Sequence, residues 1–155
     1  MSKREYPERP LVGVGGVVIA GERALLVRRG TEPLRGEWSI PGGLLEAGET
    51  LFAGVEREMQ EETGLTVRVV GLIEALDRIF PDEVAAPEGA SARPRYHYVI
   101  LDYLCESIAG EPRPGGDVTD VAFASESELP GYSLSPHTLR VLRKGFAMAR
   151  ARKAT

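Results

Sequence analysis

The stretch GLLEAGETLFAGVEREMQEETGL, residues 43–65, contains a helix whose ends are marked by its own residues. Thr50 suits the N-cap and Gly64 favours termination, so the sequence predicts a helix over about residues 51–63. At roughly 100° per residue, the side chains that share an arc of about 100° on this helix are Leu51, Phe52, Val55 and Met59. This apolar stripe predicts that the helix packs against a sheet.

The same helix carries acidic residues close to its apolar stripe. On the helical wheel Glu58 and Glu62 lie at the edge of the stripe and Glu61 lies farther round. Arg57, the one cation of the helix, is expected to point elsewhere, and Gly54 is expected to leave open space that a ligand could fill. Partly buried carboxylates need a compensating positive charge. A divalent cation such as Mg²⁺, which prefers carboxylate, water and phosphate oxygens, would supply it. The alternative is a structural domain whose acidic helix faces water.

Predicted strands flank this helix on both sides. Residues 11–29 form two apolar runs around a turn at 20–23, and a short strand over 36–43 is broken by Pro41-Gly42-Gly43. The elements predicted after the helix are strands over 66–80, 95–106 and 121–129, a long loop over 81–94, and a final helix over 135–154 with Ser135 as N-cap and Pro136 as its first residue. This order predicts a mixed sheet between helices.

Composition limits the classes of protein that fit. With 155 residues, 43% of them hydrophobic, the chain is expected to form one domain over 1–155. A net charge of −4 provides no basic field for a nucleic acid, and no apolar run is long enough to span a membrane. Cys105 is the only cysteine, which excludes an internal disulfide and suits a reducing cytoplasm. We therefore expect a cytoplasmic protein without nucleic-acid or membrane partners.

The residues around the acidic helix follow a known pattern. Gly43, Glu49 after five residues, and Arg57-Glu58-Met59-Gln60-Glu61-Glu62-Thr63-Gly64-Leu65 after seven more resemble the Nudix hydrolase signature, G-x5-E-x7-R-E-U-x-E-E-x-G-U, where U is a bulky aliphatic residue. Every specified position is filled, with Met59 in a slot where a branched aliphatic residue is commoner. The resemblance implies an α+β fold, an α/β/α sandwich with a mixed central sheet.

The resemblance also implies an activity and its residues. Nudix pyrophosphohydrolases cleave the diphosphate bond of a nucleoside diphosphate linked to another group X, using Mg²⁺ or Mn²⁺. By the family pattern the metal would be held by Glu58, Glu62 and the Gly43 carbonyl, with Glu61 as a further ligand or as the base that deprotonates water. Glu49 and Arg57 would pair and hold the loop against the helix.

Residues outside the signature supply candidates for the substrate site and for a further acid. The candidate substrate-binding residues are Arg95, His97, Arg28 and Trp38, with Arg29 and Arg35 as alternatives to Arg28, and with core packing as the other role for Trp38. The candidate extra acids are Asp117, Asp120 and Glu88. Similarity of the RYHYV segment at 95–99 to ADP-ribose or nucleotide pyrophosphatases slightly favours an ADP-ribose-like substrate. The alternatives are a nucleoside triphosphate and a nucleotide-binding regulator without turnover. Many relatives form homodimers, so a homodimer is possible.

Overall fold

The structure is a computed structural model that describes residues 4–82 and 93–154. Its strands are β1 (Leu11–Ala20), β2 (Arg23–Arg29), β3 (Trp38–Ser39), β4 (Gly42–Leu44), β5 (Thr66–Pro81), β6 (Pro94–Ala109) and β7 (Val118–Ser125). Its helices are α1 (Leu51–Thr63), a 3-10 helix (Glu126–Tyr132) and α2 (Pro136–Lys153).

The ends of both α helices are capped as the sequence predicts. The Thr50 hydroxyl accepts a hydrogen bond from the Ala53 amide, and Gly64 ends α1 in the left-handed conformation with φ of 74°. The Ser135 hydroxyl accepts from the Thr138 amide at the start of α2, where Pro136 needs no donor partner. These local contacts satisfy backbone groups that a helix end leaves unpaired.

The strands form one mixed sheet in the order β3-β2-β1-β6-β5, with β4 added beside β1 and β7 beside β2. β1 runs parallel to β6 and antiparallel to β2 and β4. β1 pairs with β2 only at Ile19 and Ala20, whereas Gly13 to Gly15 pair with β4. The sheet therefore opens between β1 and β2, and β4 enters on the β1 side of the opening.

Side chains that alternate along the strands form two cores, one on each face of the sheet. Val18 and Leu25 pack on the α1 face, and their chain neighbours Val17 and Leu26 pack on the α2 face. Both faces are covered by helices because successive strand residues point to opposite sides. The predicted α/β/α sandwich with a mixed sheet is thus confirmed.

Several predicted boundaries differ from the structure. The predicted break at Pro41 is confirmed, because proline has no amide hydrogen for the ladder, but Gly42 and Gly43 belong to β4 and pair with β1 instead of forming a loop. The predicted strand over 121–129 ends at Ser125 and continues as the 3-10 helix. The predicted loop over 81–94 lies largely outside the described residues. No helix in the described part of the chain is both long enough and apolar enough to cross a membrane.

Candidate active site

The acidic residues of α1 lie where the helix meets the loop that precedes it. Glu58 is buried, whereas the Glu61 side chain is 54% exposed. Burial raises the pKa of Glu58, and it raises the pKa of Glu62 to about 7, although the Gly42 amide opposes the rise by donating to Glu62 Oε1 at 2.8 Å. Each carboxylate thus costs free energy to ionise in place, so a nearby cation would be stabilised here.

Gly43 is fitted to the Glu58 carboxyl group. A Cβ atom at position 43 would lie 2.4 Å from Glu58 Oε1 and 2.6 Å from Oε2, far inside van der Waals contact. Glycine is therefore required for the carboxyl group to rest against the strand. The Glu58 carboxyl group thus contacts β4 at Gly43, and the Glu62 carboxyl group is bonded to β4 at Gly42. Both carboxyl groups therefore lie at the same corner of the fold.

Arg57 lies among the acidic residues, which corrects the expectation that it points elsewhere. Its Nε and Nη2 atoms donate to both carboxylate oxygens of Glu49 at 2.7 and 2.9 Å, and Nη2 also donates to the Leu44 carbonyl at 3.0 Å. Nη1 donates to Glu58 Oε1 at 2.8 Å and to Glu61 Oε2 at 3.2 Å. Arg57 reaches these groups because the loop over 44–50 folds back over the helix. The predicted pair of Glu49 and Arg57 is present and joins the loop to α1.

The loop also fills the space next to Gly54, which the sequence suggested was open. A Cβ atom at Gly54 would lie 2.8 Å from Leu45 Cδ1 and 3.1 Å from Glu49 Oε1. Glycine at this position therefore permits close packing of loop on helix, and a ligand has no room there.

The donor set suits a hard cation in its chemistry but is not assembled as a metal site. Glu58, Glu61 and Glu62 supply carboxylate oxygens, which Mg²⁺ and Mn²⁺ accept. Across residues 4–82 and 93–154, however, no three acidic, histidine or cysteine side chains converge as metal ligands. Arg57 bridges Glu58 and Glu61, so binding a cation between these two requires their side chains to turn away from Arg57. The residues fit such an ion by type, and a rotation of exposed Glu61 is a small change.

The connection between β6 and β7 brings another acid to this corner. The Arg113 amide donates to the Thr63 carbonyl at 2.9 Å, and the Gly115 amide donates to the Glu62 carbonyl at 3.1 Å. This segment caps the last carbonyls of α1 and holds Asp117 near enough to raise the pKa of Glu62 further. Of the three candidate extra acids, Asp117 lines the site, Asp120 instead accepts a hydrogen bond from the Val121 amide in β7, and Glu88 lies outside the described residues.

A cavity of about 420 Å³ occupies the opening of the sheet between β1 and β2. Its acidic side is formed by Glu58, Glu61, Glu62 and Asp117. Its other side is formed by alternate residues of β5 and β6, which are Leu76, Arg78, Phe80, Tyr98, Ile100 and Asp102. The start of α2 closes one end with Ser135, His137 and Thr138, and the β2–β3 segment contributes Arg29 and Trp38.

Besides Arg57, the cavity lining contains three further arginines, Arg4, Arg29 and Arg78. Arg78 lies over the Phe80 ring at 5.1 Å from its centroid and makes a long hydrogen bond of 3.5 Å to Ser135 Oγ. Burial lowers the pKa of Arg78, Glu37 opposes that effect, and nearby Arg29 adds to it. Arg29 also lowers the pKa of Glu62, so its positive charge acts on both the acidic side and Arg78. The positive charges of Arg29 and Arg78 repel each other in this cavity, and a bound anion would relieve that repulsion.

Of the four predicted substrate-binding residues, the structure places only Trp38 in the lining. Trp38 packs against the core beneath α2 and meets Tyr132 edge-to-face at 5.2 Å, so it serves as a core residue and as a cavity wall. Arg28 instead donates to the Gly36 carbonyl, and its neighbour Arg29 faces the cavity. Arg95 and His97 are not in the lining, because Tyr98 points inward and strand residues alternate.

The polar and aromatic residues of the cavity that the sequence did not indicate include Arg4, Arg78, Phe80, Tyr98, Asp102 and His137. One signal for Tyr98 and Asp102 was available, since both occupy alternate positions of the apolar run YHYVILDYL, where an acid is unexpected. Nothing comparable in the sequence placed Arg78 or His137 beside them.

Comparisons with known proteins agree with this fold. The NUDIX domain model matches residues 9–145. The chain is 32% identical over 121 residues, 78% of its length, to an ADP-ribose pyrophosphatase of Methanocaldococcus jannaschii, and the match spans 65% of that relative. It is 30% identical over 116 residues to the nucleoside triphosphatase NudI of Escherichia coli, covering 74% of this chain and 79% of NudI. The structure of a MutT NUDIX hydrolase from Burkholderia pseudomallei superposes with a TM-score of 0.71 at 28% identity, covering 88% of this chain and 98% of that one.

The mixed sheet between helices is shared with the solved structure, and the NUDIX domain model covers most of the chain. The chain belongs to the Nudix hydrolase family.

Proposed function

We propose that this protein is a pyrophosphohydrolase that uses Mg²⁺ or Mn²⁺ to cleave the diphosphate bond of a nucleoside diphosphate linked to a group X, with an ADP-ribose-like substrate slightly favoured. The observation that carries the proposal is the pair Glu58 and Glu62, two carboxylates with raised pKa values on the wall of a cavity that also contains Arg29 and Arg78. The carboxylates would be stabilised by a metal cation and the arginines by phosphate oxygens, so the cavity suits a diphosphate with a bound metal ion.

The cation would be held by Glu58, Glu61, Glu62 and the Gly43 carbonyl. When bound, such a cation neutralises phosphate oxygens and lowers the pKa of a bound water. Arg29 and Arg78 would bind phosphate oxygens on the other side, where guanidinium groups can donate two hydrogen bonds. Glu61, the most exposed of the three acids, is the side chain with the freedom to accept a proton from water. Arg57 and Glu49 act on position, since they attach the loop that follows Gly43 to α1.

Two candidate substrates differ in where the bond is cleaved. The archaeal relative supports ADP-ribose, and similarity to NudI supports a nucleoside triphosphate as the second candidate. A nucleotide-binding regulator without turnover is the remaining alternative, and the intact set of Glu58, Glu61 and Glu62 argues against it because binding alone does not need three metal ligands. The expected homodimer and cytoplasmic location stay predictions.

Turnover with a panel of substrates tests the proposal. We expect phosphate-containing products from ADP-ribose when Mg²⁺ or Mn²⁺ is present and none with EDTA. AMP with ribose 5-phosphate as products would assign the ADP-ribose activity, and a nucleoside monophosphate with pyrophosphate would assign the triphosphate activity. Nucleotide binding without turnover of any panel member under these conditions would contradict the enzyme and support the regulator.

Metal binding to the folded chain is tested separately by thermal unfolding. A ligand at 100 times its Kd stabilises the native state by about 2.7 kcal/mol. For a chain of this size we expect the melting temperature to rise by roughly 5–10 °C when Mg²⁺ replaces EDTA. An unchanged melting temperature up to saturating Mg²⁺ and Mn²⁺ would contradict the metal site and favour a solvated acidic helix.

Gly43→Ala tests whether the contact between Gly43 and Glu58 matters for catalysis. The new Cβ atom would displace the Glu58 carboxyl group, so we expect kcat/KM to fall by about 10²-fold or more, in line with a loss of one well-placed electrostatic group. Gly131→Ala is the matched control, because a Cβ atom there would meet nothing within 4 Å. Equal activity of the two variants would show that the position of Glu58 is unimportant.

A further inference from the structure

Asp102 is a buried acid that the proposed chemistry does not use. It lies near the middle of β6, is 5% exposed, and forms part of the cavity lining. Within the described residues it makes no hydrogen bond and no ion pair. Burial raises its pKa to about 7, with Glu74 as a smaller contribution in the same direction. A carboxyl group left without donors at this depth destabilises the fold, so packing does not account for it.

The residue opposite Asp102 shows how the same fold satisfies a carboxylate when it can. Glu74 on β5 is the register partner of Asp102 and points to the same face of the sheet. Arg140 and Lys144 of α2 both bind Glu74, and together they lower its pKa to about 2. Helix α2 therefore supplies cations to one of the two facing acids, and Asp102 faces the cavity instead.

The neighbouring strand is shaped to keep the Asp102 carboxyl group accessible. Gly15 of β1 is the register partner of Asp102 on the other side, and a Cβ atom there would lie 2.4 Å from Asp102 Oδ1. Any side chain at position 15 would cover this oxygen or force it away. Glycine at position 15 thus lets the carboxyl group rest against β1 while Asp102 stays in the cavity lining, where a ligand can reach it.

The charge of Asp102 restricts which part of a substrate can reach it. Phosphate groups are repelled by a carboxylate and are attracted by Arg29 and Arg78. A group with O–H or N–H donors would satisfy Asp102, since an ionised carboxylate only accepts hydrogen bonds and a protonated one still has acceptor capacity. The aromatic residues Trp38, Phe80 and Tyr98 line the same cavity and suit the flat or apolar part of a nucleoside.

We infer that Asp102 is a specificity-determining residue that accepts hydrogen bonds from the nucleoside part of the substrate. The donors would be hydroxyl groups of the pentose or an amino group of the base. This inference rests on the proposed function, because it takes the substrate to be a nucleotide. Asp102 would then be a second polar contact to the substrate, after Arg78, on the side of the cavity formed by β5 and β6.

Asp102→Asn is the variant that tests this role, with Asp77→Asn as its matched control. Asp77 lies on β5, is exposed, and is not part of the cavity lining. Loss of hydrogen bonds to a charged group predicts a rise in KM for ADP-ribose of about 10- to 100-fold for Asp102→Asn. We expect kcat to change by less than about threefold, because Asp102 contacts no reacting atom, and we expect Asp77→Asn to match the wild type.

Substrate analogues separate the two sources of donors. If Asp102 recognises the pentose, the wild type will have a higher KM for a 2′-deoxy analogue of ADP-ribose than for ADP-ribose itself. The Asp102→Asn variant will then have the same KM for both substrates. If the base is recognised, the hypoxanthine analogue, which lacks the amino group, will show that pattern. Equal discrimination by both proteins on both analogues would overturn the inference, as would a fall in kcat with KM unchanged.

Binding of AMP in EDTA, measured by calorimetry, keeps this test separate from turnover. If the chain hydrolyses nothing but AMP binds about tenfold or more weakly to Asp102→Asn, the proposed activity fails and the binding role stands. Equal AMP affinity of the two proteins, or no AMP binding to either, overturns the role of Asp102. Folding of the variant is checked at pH 8. Ionisation of Asp102 weakens the fold as the pH rises through about 7, so a neutral amide is not expected to lower the melting temperature.

Discussion

Glu62→Gln is expected to lower kcat by about 10³-fold while leaving the fold intact. A bound divalent cation is worth several kcal/mol of transition-state stabilisation, and about 4 kcal/mol corresponds to a factor near 10³ in rate. Removing one anionic ligand weakens the hold on the cation and removes its orientation. The reaction should also lose its dependence on Mg²⁺ concentration in the millimolar range. Steady-state kinetics with the substrate identified in the panel measures both effects.

The fold should tolerate this change for two reasons. Glutamine keeps the size of the side chain, and its Oε1 can still accept the hydrogen bond from the Gly42 amide that Glu62 accepts at 2.8 Å. Burial raises the pKa of Glu62 to about 7, so the ionised group weakens the fold as the pH rises through that value. The melting temperature in EDTA at pH 8 should therefore not fall, and its rise on adding Mg²⁺ should shrink or disappear.

Glu56→Gln is the control for a change of charge on the same helix. Glu56 is exposed, and it does not line the cavity. Its substitution should leave kcat and the Mg²⁺ response at wild-type values. A small effect of Glu62→Gln, similar to that of Glu56→Gln, would remove Glu62 from the metal site.

Arg57→Met is expected to have the largest effect on stability, with a fall in melting temperature of about 5–10 °C in EDTA. The substitution leaves Glu49 without its bidentate partner and leaves the Leu44 carbonyl without a donor. It also removes the positive charge beside Glu58. Because the loop over 44–50 loses its attachment to α1, we expect kcat/KM to fall by at least 10²-fold even though Arg57 would touch no reacting atom. Differential scanning calorimetry and steady-state kinetics measure the two losses.

The contribution of this pair should depend on pH in a defined direction. Hydrogen bonds from Arg57 and the Glu46 amide lower the pKa of Glu49 to about 2 from an ordinary value of 4.5. A lowered pKa means that the pair stabilises the fold fully above about pH 4.5 and that this contribution is lost as the pH falls toward 2. The difference in urea midpoint between the wild type and Arg57→Met should therefore narrow between pH 5 and pH 3.

Two further variants make the Arg57 result specific. Arg143→Met removes an exposed arginine of α2, and it should leave stability and activity unchanged. Glu49→Gln combined with Arg57→Met should cost less than the sum of the two single changes, since both remove the same interaction. Additive losses would show that Arg57 and Glu49 act independently and would contradict the loop attachment.

The signature helix could be read from sequence because its determinants are local. Of the predicted apolar stripe, Val55 and Met59 are buried and Leu51 is half-buried, whereas Phe52 is 50% exposed and its predicted burial was wrong. Thr50 and Gly64 mark the two ends of the helix. The burial of Glu58 and the exposure of Glu61 follow from the same 3.6-residue period. Errors began where a segment outside the helix packs against it. The loop over 44–50 fills the space at Gly54 and turns Arg57 toward the acids, and neither contact is encoded in the helix itself.

Predictions for the side of the cavity formed by β5 and β6 were less accurate than those for the signature helix. The resemblance of the RYHYV segment to ADP-ribose or nucleotide pyrophosphatases predicted Arg95 and His97 as substrate-binding residues, but the pleat of β6 places Tyr98 and Asp102 in the cavity lining instead. Trp38 was weighed between core packing and the substrate site, and it packs in the core while also lining the cavity, because the sheet opens beside it. Which side chains of a strand face the cavity depends on which face of the sheet is covered by other elements. The sequence of one strand does not specify this.

The amino-acid sequence by itself determined the family, the helical frame of the acids, and the two-layer covering of a mixed sheet, because periodicity, capping and a fixed spacing act over a few residues. Only the tertiary structure decided the cavity and its contents. Asp102, Arg78, Asp117 and the start of α2 come from separate parts of the chain, and they meet because β1 pairs with β6 in parallel and separates from β2 after two residue pairs. Strand register and the divergence of neighbouring strands are properties of the assembled sheet.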